Sequence, residues 1–175
     1  MELKEKRLGG ETIYKGRIVT LEVDEVLCPN GHKSKREVVR HCQASCIIAK
    51  VGDKFILEEQ YRYPYDEIIL EFPAGKLDPG EDPLEAAKRE LEEETGYRAE
   101  KMEFLGDIYP SVAYTDEVIS LYLAEGLEKG ERHLDENEAI NLHLYTLEEI
   151  KAMVKGGRIK DAKTICGLAY YLLHC

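Results

Sequence analysis

A predicted helix that ends at Gly96 carries four glutamates in its last two turns, RELEEETG. Its start is marked by Asp82 and Pro83, because aspartate caps helix N-termini and proline suits the first helical position. Glu90 and Glu94 are four residues apart and therefore lie on one face. Each such like-charge pair destabilises an exposed helix by about 0.2–0.5 kcal/mol. These carboxylates also lie toward the negative end of the helix dipole, so the helix is expected to need a compensating positive charge.

Two interpretations of the acidic helix follow from the residues alone. Glu93 lies beside Glu90 and Glu94, so three carboxylates share one side of the predicted helix. The position four residues after Glu90, where lysine or arginine commonly stabilises an acidic helix, is another glutamate. Either the face is simply solvated, or a hard divalent cation binds there and reverses the sign of the repulsion.

The remaining hydrophobic pattern predicts an α/β fold. Alternating or continuous apolar runs between turn residues are typical of strands. Two further amphipathic segments near the end of the chain, residues 147–157 and 161–173, are predicted to be helices, and residues 131–145 to begin as loop and end as strand. Together they indicate a mixed sheet with helices on its faces and an N-terminal antiparallel piece. Strands are predicted over 19–28, 33–41, 44–51, 54–62, 67–72, 100–109 and 117–127.

Composition limits the classes of partner. The chain has 175 residues and a formal net charge of -11, which disfavours nucleic-acid binding. The charged N-terminal stretch MELKEKRLGG is unlike a signal peptide, and no apolar run is long enough for a membrane span. Its five cysteines are scattered and include no CxxC pair, which disfavours disulfides and a zinc site. We expect a reduced, cytoplasmic protein with no membrane partner.

The stretch from Gly75 to Tyr97, GKLDPGEDPLEAAKRELEEETGY, narrows the choice between the two interpretations. It resembles the Nudix box, G-x5-E-x7-R-E-U-x-E-E-x-G-U, where U is a bulky apolar residue. Every fixed position matches, and Tyr97 at the last position is a mild departure. The resemblance implies a Nudix-type α/β/α sandwich with a mixed sheet.

The resemblance also implies a metal site on a loop–helix–loop that holds Mg²⁺ or Mn²⁺ against a diphosphate. Glu90 and Glu94 match the main helix ligands, and Glu93 matches a further ligand or a bridge to a second ion. In relatives the carbonyl of the residue before the box glycine also binds metal, and this residue is Ala74 here.

Two other box positions match a structural pair. Arg89 would orient the acidic cluster, and Glu81 would be its partner.

Segments outside the box resemble the ADP-ribose pyrophosphatase branch of the family. EEQYRYP (58–64) and LEFPAGKLDPGE (70–81) imply that Arg62 lies near the substrate phosphates, and KREVVRH (35–41) implies that Arg36 reaches the substrate. Without the resemblance, both arginines read equally well as ordinary surface residues.

The loop YPSVAYTDE (109–117) resembles one in which a glutamate contacts the ribose region of the substrate, and this residue is Glu117. Val112 and Ala113 replace the usual proline and glycine, so the shape of this loop does not follow from the resemblance.

The segment LDENEAI (134–140) resembles an acidic loop that supplies the catalytic base in the same branch. By position, Glu136 matches the general base and Glu138 a further metal contact, while Glu93 and Glu94 act with them. The alternative is a solvated acidic loop, since only geometry shows whether a base reaches the attacking water.

The N-terminal region is expected to contribute to substrate binding and to assembly. Relatives hold adenine between aromatic side chains of N-terminal strands, and Arg17 stands at the nearest position here, as a cation–π partner or as a surface residue. We expect a homodimer with an N-terminal β subdomain over residues 1–42 and a hydrolase domain over residues 43–175.

The function implied is Mg²⁺-dependent hydrolysis of ADP-ribose, a small-molecule nucleotide sugar, to AMP and ribose 5-phosphate. Two alternatives stay open. The substrate is another nucleoside diphosphate sugar such as GDP-mannose, or the chain binds a nucleotide without cleaving it.

Overall fold

The computed structural model describes residues 2–174. A short 3-10 helix, Tyr63–Tyr65, follows the fifth strand. The helices are α1 (Pro83–Thr95), α2 (Leu147–Lys155) and α3 (Ala162–His174). The strands are β1 (Lys6–Lys15), β2 (Thr20–Leu27), β3 (Lys33–Arg40), β4 (Ala44–Val51), β5 (Lys54–Arg62), β6 (Glu67–Glu71), β7 (Ala74–Lys76), β8 (Tyr97–Ile108), β9 (Ile119–Lys129) and β10 (Ile140–Thr146).

The first of two compact units comprises Met1–Cys42 together with Tyr109–Val118. It contains the antiparallel sheet β1-β2-β3, as predicted for the hairpin of β2 and β3. Strand β1 was not predicted, because Gly9, Gly10 and an almost fully exposed surface leave it without an apolar alternation. The loop 109–118 is held by a hydrogen bond of 2.7 Å from the Val39 amide to the Tyr114 carbonyl. The roles predicted for residues 1–42 and 43–175 stay predictions.

The second unit comprises Gln43–Ile108 and Ile119–Cys175 and contains the larger sheet. Its strand order is β10-β5-β4-β9-β8, with β6 added to β5 and β7 added to β4. Strands β4 and β9 run parallel and the other pairs are antiparallel, which confirms the predicted mixed sheet.

Helices cover both faces of this sheet because buried residues alternate along its central strands. On β4, Ile47 joins the core cluster that contains Leu91 of α1. Its neighbour Ile48 joins the opposite cluster, which contains Ile150 of α2 and Leu168 of α3. The predicted α/β/α sandwich is therefore confirmed.

Within residues 2–174, none of the helices combines the length and the apolar character that crossing a bilayer requires. Cys28, Cys42, Cys46 and Cys166 are free thiols.

Candidate active site

Helix α1 begins and ends where its capping residues predict. The side chain of Asp82 accepts a hydrogen bond of 2.9 Å from the Leu84 amide, and Gly96 adopts the left-handed conformation with φ 71°. The face turned to the sheet buries Ala87 and Leu91, and Glu94 continues that face one turn later. Burying a carboxylate costs free energy unless it has partners, so Glu94 marks a special position on the helix.

Glu94 is only 4% exposed and is hydrogen-bonded to β7, the strand at the start of the box. Its Oε2 accepts a hydrogen bond of 3.0 Å from the backbone amide of Ala74. Burial raises the pKa of Glu94 well above its usual range, and the charges of Glu58, Glu90 and Glu138 raise it further. The structure thus gathers negative charge around Glu94, where a cation would stabilise the ionised carboxylate.

Glu90 lies directly against the backbone of Gly75. A Cβ at position 75 would meet Glu90 Cδ at 1.8 Å, so only glycine leaves room for this carboxyl group. Burial raises the pKa of Glu90, while a 2.7 Å hydrogen bond from Arg89 Nη1 lowers it in part. The box glycine is therefore explained by the close approach of a carboxylate rather than by a turn.

Gly75→Ala is expected to weaken binding of a divalent cation about 10-fold or more, because the added methyl group displaces the Glu90 carboxyl. The free energy of unfolding should change little, since Glu90 reaches this point with the end of a flexible side chain. Titration with Mn²⁺ and thermal unfolding measure the two effects.

Gly9→Ala is the matched control, because a Cβ there meets no atom within 4 Å. Equal Mn²⁺ affinity in the Gly75 variant and the wild type would contradict this account of the glycine.

Arg89 connects the box loop to the acidic helix. Its Nε and Nη2 donate to the two carboxylate oxygens of Glu81 at 2.9 and 2.8 Å, and Nη2 also donates to the Lys76 carbonyl at 3.1 Å. Its Nη1 donates to Glu90 and, at 3.0 Å, to Glu93. The predicted pair of Arg89 and Glu81 is present, and the guanidinium supplies positive charge to the helix acids.

Hydrogen bonds from Arg89 lower the pKa of Glu81 to about 2, from 4.5 for a free glutamate. A carboxyl group with a lowered folded-state pKa stabilises the fold above the unfolded pKa and loses this contribution as the pH falls toward the folded value. We therefore expect Glu81→Gln to be less stable than the wild type at pH 7, with the difference shrinking from about pH 4.5 downward. Urea unfolding of both proteins across this range measures the difference, and a gap that widens in acid would contradict the assignment.

The acidic segment 131–139 is fixed at its start to the end of α1. The amide of Gly130 donates to the Gly96 carbonyl at 2.6 Å, and the amide of His133 donates to the Glu93 carbonyl at 3.0 Å. Helix ends leave carbonyls without intrahelical partners, and here a distant segment supplies the donors.

Arg132 completes this connection with its side chain. The guanidinium donates to the Glu94 carbonyl and, at 2.9 Å, to the Ile140 carbonyl at the start of β10. The acidic segment is consequently held at both of its ends beside the box helix.

The two predicted acids of this segment differ in their surroundings. Glu138 is half-buried, and its charge raises the pKa of both Glu90 and Glu94. Glu136 is exposed to solvent. The structure therefore brings Glu138 to the helix acids and leaves Glu136 on the surface of the segment.

Arg62 is held at the end of β5 by a buried carboxylate. Its Nε donates to Glu71 Oε1 at 2.7 Å, and Glu71 is also bonded by Lys163 of α3. Lys163 in turn lies 3.2 Å from Asp161. This network keeps the Arg62 guanidinium in one place while its side chain stays partly exposed.

The other predicted substrate residues belong to the first unit. Arg36 donates to Glu5 Oε2 at 2.9 Å and to Ser34 at 3.0 Å. Glu117 is half-buried, 3.3 Å from His41 Nδ1, and Arg17 is exposed in the turn between β1 and β2. No role for these residues follows from their contacts alone.

Sequence reasoning missed Glu58, Glu71, Arg132 and Lys163. Glu58 directly follows the buried residues Phe55–Leu57 of β5. This apolar run is the feature of the sequence that could have indicated its burial. The ion pair of Lys163 and Glu71 joins residues far apart in sequence, so no local sequence pattern predicts this pair.

The residues at α1 offer carboxylate oxygens, the donors that hard divalent cations prefer. Gly75 leaves space for Glu90, and buried Glu94 lacks a cationic partner among residues 2–174, so the donor set fits such an ion. The present rotamers do not form a closed cage: in the described part of the chain, no three histidine, cysteine, aspartate or glutamate side chains have cation-binding spacing. Arg89 holds Glu90 and Glu93 instead.

Comparisons with known proteins agree with the geometry. Residues 39–167 match the family described as NUDIX domain, and residues 5–39 match the nucleoside diphosphate sugar hydrolase N-terminal domain. The chain is 47% identical to the methanol dehydrogenase activator of Bacillus methanolicus, over 97% of this chain and 94% of that protein. It is 40% identical to the ADP-ribose pyrophosphatase of Bacillus subtilis, over 98% and 94% of the two chains.

A solved structure described as an ADP compounds hydrolase superposes with a TM-score of 0.89 at 26% identity, covering 98% of this chain and 94% of that one. The match to the family spans most of the chain and includes the complete acidic box. The chain therefore belongs to the Nudix hydrolase family.

Proposed function

We propose that the chain hydrolyses the diphosphate bond of ADP-ribose to AMP and ribose 5-phosphate, with Mg²⁺ or Mn²⁺ as the cofactor. Nudix hydrolases generally use divalent cations. The observation that carries the proposal is the gathering of Glu90, Glu94 and Glu138 near the end of α1, where the charge of Glu138 raises the pKa of Glu90 and Glu94, and the charge of Glu90 raises the pKa of Glu94. Such mutual repulsion is relieved by a divalent ion.

The chosen substrate is supported by similarity to the ADP-ribose pyrophosphatase of Bacillus subtilis over nearly the whole chain. The diphosphate of such a substrate is anionic, and the chain carries a net charge of -11, so local positive charge has to bind it. Arg62 supplies a fixed guanidinium, because Glu71 holds its Nε. A planar guanidinium binds phosphate oxygens in pairs, which suits this role.

A divalent cation, when bound, neutralises phosphate oxygens and lowers the pKa of a coordinated water. The carboxylates of Glu90, Glu93 and Glu94 and the carbonyl of Ala74 are the proposed cation ligands, with Glu138 as a further contact. Glu136 is the proposed general base, which takes a proton from the attacking water as its oxygen adds to phosphorus and the diphosphate bond breaks. A base in an exposed position is accessible to that water.

Arg36, Arg17 and Glu117 are proposed contacts to the rest of the substrate. For each, the expected effect of substitution by alanine is a higher KM with a smaller change in kcat, since uniform binding is lost. Glu5 already holds Arg36, so the arginine is oriented before any ligand arrives.

The direct test is product analysis with ADP-ribose and Mg²⁺, with AMP separated by chromatography. The expected result is equal amounts of AMP and ribose 5-phosphate, and no product when EDTA is in excess. A panel that includes GDP-mannose and an ADP-hexose tests the alternative substrates. A much higher kcat/KM for GDP-mannose would overturn the substrate assignment, and binding without turnover at saturating Mg²⁺ would favour a nucleotide sensor.

A homodimer is proposed from the apolar side chains on the first unit. Leu8, Ile13, Tyr14 and Ile18 are exposed on β1 and the turn after it. Larger patches of exposed apolar groups commonly mark interfaces, and these four side chains lie close together in the sequence. Light scattering on a sizing column should give twice the chain mass of 20.0 kDa, and the mass of a single chain would contradict the proposal.

A second candidate function is favoured by the similarity to the methanol dehydrogenase activator of Bacillus methanolicus. The chain would then raise the rate of a methanol dehydrogenase. Adding the purified chain to that dehydrogenase, with and without Mg²⁺, tests this role independently of the hydrolysis assay.

A further inference from the structure

Glu58 on β5 is a fully buried glutamate that lies outside the Nudix box. It is 0% exposed, and neither of its carboxylate oxygens has a hydrogen-bond partner in the described part of the chain. Buried carboxylates are rarely left unpaired, because removing a polar group from water without a new partner is unfavourable. The burial of Glu58 without a hydrogen-bond partner therefore requires an explanation, such as a bound ligand.

The fold places Glu58 on the face of the sheet that α1 covers. Side chains alternate along a strand. On β5, Leu57 belongs to the core on the side of α2 and α3, whereas Ile56 packs in the cluster that contains Ala87 and Leu91 of α1. Glu58 follows Ile56 by two residues and shares its face.

Glu94 follows Ala87 and Leu91 on the buried side of α1 in the same way. Both carboxylates thus belong to the layer between α1 and this face of the sheet, next to its apolar cluster. Glu58 is therefore a second buried carboxylate on the side of the sheet where Glu94, the main proposed cation ligand, is also buried.

The positive groups nearby are engaged with other partners. Arg62 and Lys163 both bond Glu71, which pairs with Glu58 across β5 and β6. Arg132 donates to backbone carbonyls at the end of α1 and the start of β10. An ordinary ion pair consequently does not account for Glu58, and its four lone-pair sites stay available.

We propose that Glu58 binds the divalent cation together with Glu94, as an inner carboxylate supplied by the sheet rather than by the Nudix box. The inference rests on the cation dependence in the proposed function. A hard cation accepts six or more oxygen ligands, so a carboxylate behind α1 adds to the helix acids without replacing any of them. It also gives both oxygens of the buried Glu58 a partner.

The test measures cation binding directly, without substrate. Mn²⁺ is titrated calorimetrically, and by the loss of its free electron-spin signal, into the wild type, Glu58→Gln and Glu58→Leu. Both variants are expected to bind Mn²⁺ about 10–100-fold more weakly, the range found when a partner of a metal site is removed. Glu59→Gln is the matched control, because Glu59 is the next residue on β5 and bonds Arg158 and His143.

Thermal unfolding in EDTA separates loss of a ligand from loss of the fold. Glu58→Leu is expected to melt at the same or a higher temperature than the wild type, because a leucine there removes a buried, unpaired carboxylate. Weak Mn²⁺ binding with an intact melting transition supports the inference.

Wild-type Mn²⁺ affinity in both Glu58 variants overturns the inference while leaving the proposed hydrolysis unaffected. A wild-type protein that binds no Mn²⁺ overturns both. Hydrolysis of ADP-ribose that needs Mg²⁺, combined with unchanged affinity in the variants, identifies Glu58 as a structural acid only.

Discussion

Replacing Glu94 with glutamine is expected to lower kcat for ADP-ribose by about 10²–10³-fold, the range found when one key electrostatic group of an active site is removed. The glutamine keeps the shape of the side chain and can still accept the hydrogen bond from the Ala74 amide. It removes the negative charge that a cation would neutralise. Mn²⁺ affinity should fall together with turnover, as measured by steady-state kinetics and calorimetry.

Without a metal ion, Glu94→Gln should be as stable as the wild type or more stable. Burial raises the pKa of Glu94, so its ionised form is unfavourable in the folded chain without a cation. A melting temperature in EDTA that falls by many degrees would show that Glu94 is structural.

Glu136→Gln provides the contrast for this experiment. Because Glu136 is exposed and is the proposed base, turnover should fall while Mn²⁺ affinity stays near the wild-type value. Equal losses of affinity in the two variants would mean that Glu136 is a ligand and not the base.

Lys163→Met is expected to lower the free energy of unfolding by about 3 kcal/mol or more, as found when one partner of a buried ion pair is removed. Lys163 bonds Glu71, whose side chain is 2% exposed, and lies 3.2 Å from Asp161. Methionine fills a similar volume but leaves Glu71 with Arg62 as its only cationic partner within residues 2–174. Urea unfolding at pH 7 measures the loss.

Lys160→Met is the matched control, because Lys160 lies just before α3 and also forms an ion pair. Lys160 bonds Glu67 at 2.8 Å, but its side chain is 60% exposed, and exposed pairs contribute about 0–1 kcal/mol. Similar losses in the free energy of unfolding for both variants would show that the buried ion pairs around Glu71 stabilise the fold no more than an exposed pair does. Arg62 depends on Glu71 for its orientation, so we also expect the Lys163 variant to bind ADP-ribose less tightly.

The sequence was a good guide to the box helix, because its signals are local. Asp82, Pro83 and Gly96 define its ends through capping, and the structure has the helix over Pro83–Thr95. The pairing of Arg89 with Glu81 also followed from motif positions. The apolar runs of β4 and β5 were recognised for the same reason, since a buried strand is visible in its own residues.

The remaining features depend on tertiary contacts. Strand β1 is set by pairing with β2, and its own residues carry no apolar alternation. Strand β8 begins at Tyr97, earlier than predicted, because β9 continues the pairing to the end of α1. Glu58 lies on a strand with β10 on one side and β6 on the other, and α1 covers its face of the sheet, so its burial depends on elements from elsewhere in the chain.

The attachment of residues 130–133 to the end of α1 has a consequence for cooperativity. The last carbonyls of the helix depend on donors from Gly130, Arg132 and His133, so opening this segment removes the final turn's partners as well. Local opening of the acidic segment and fraying of the last turn of the helix are therefore expected to occur together, as one cooperative unit with a single free energy of opening. Any influence that orders the segment, including a ligand that contacts only Glu138, will slow amide exchange in the last turn of the helix.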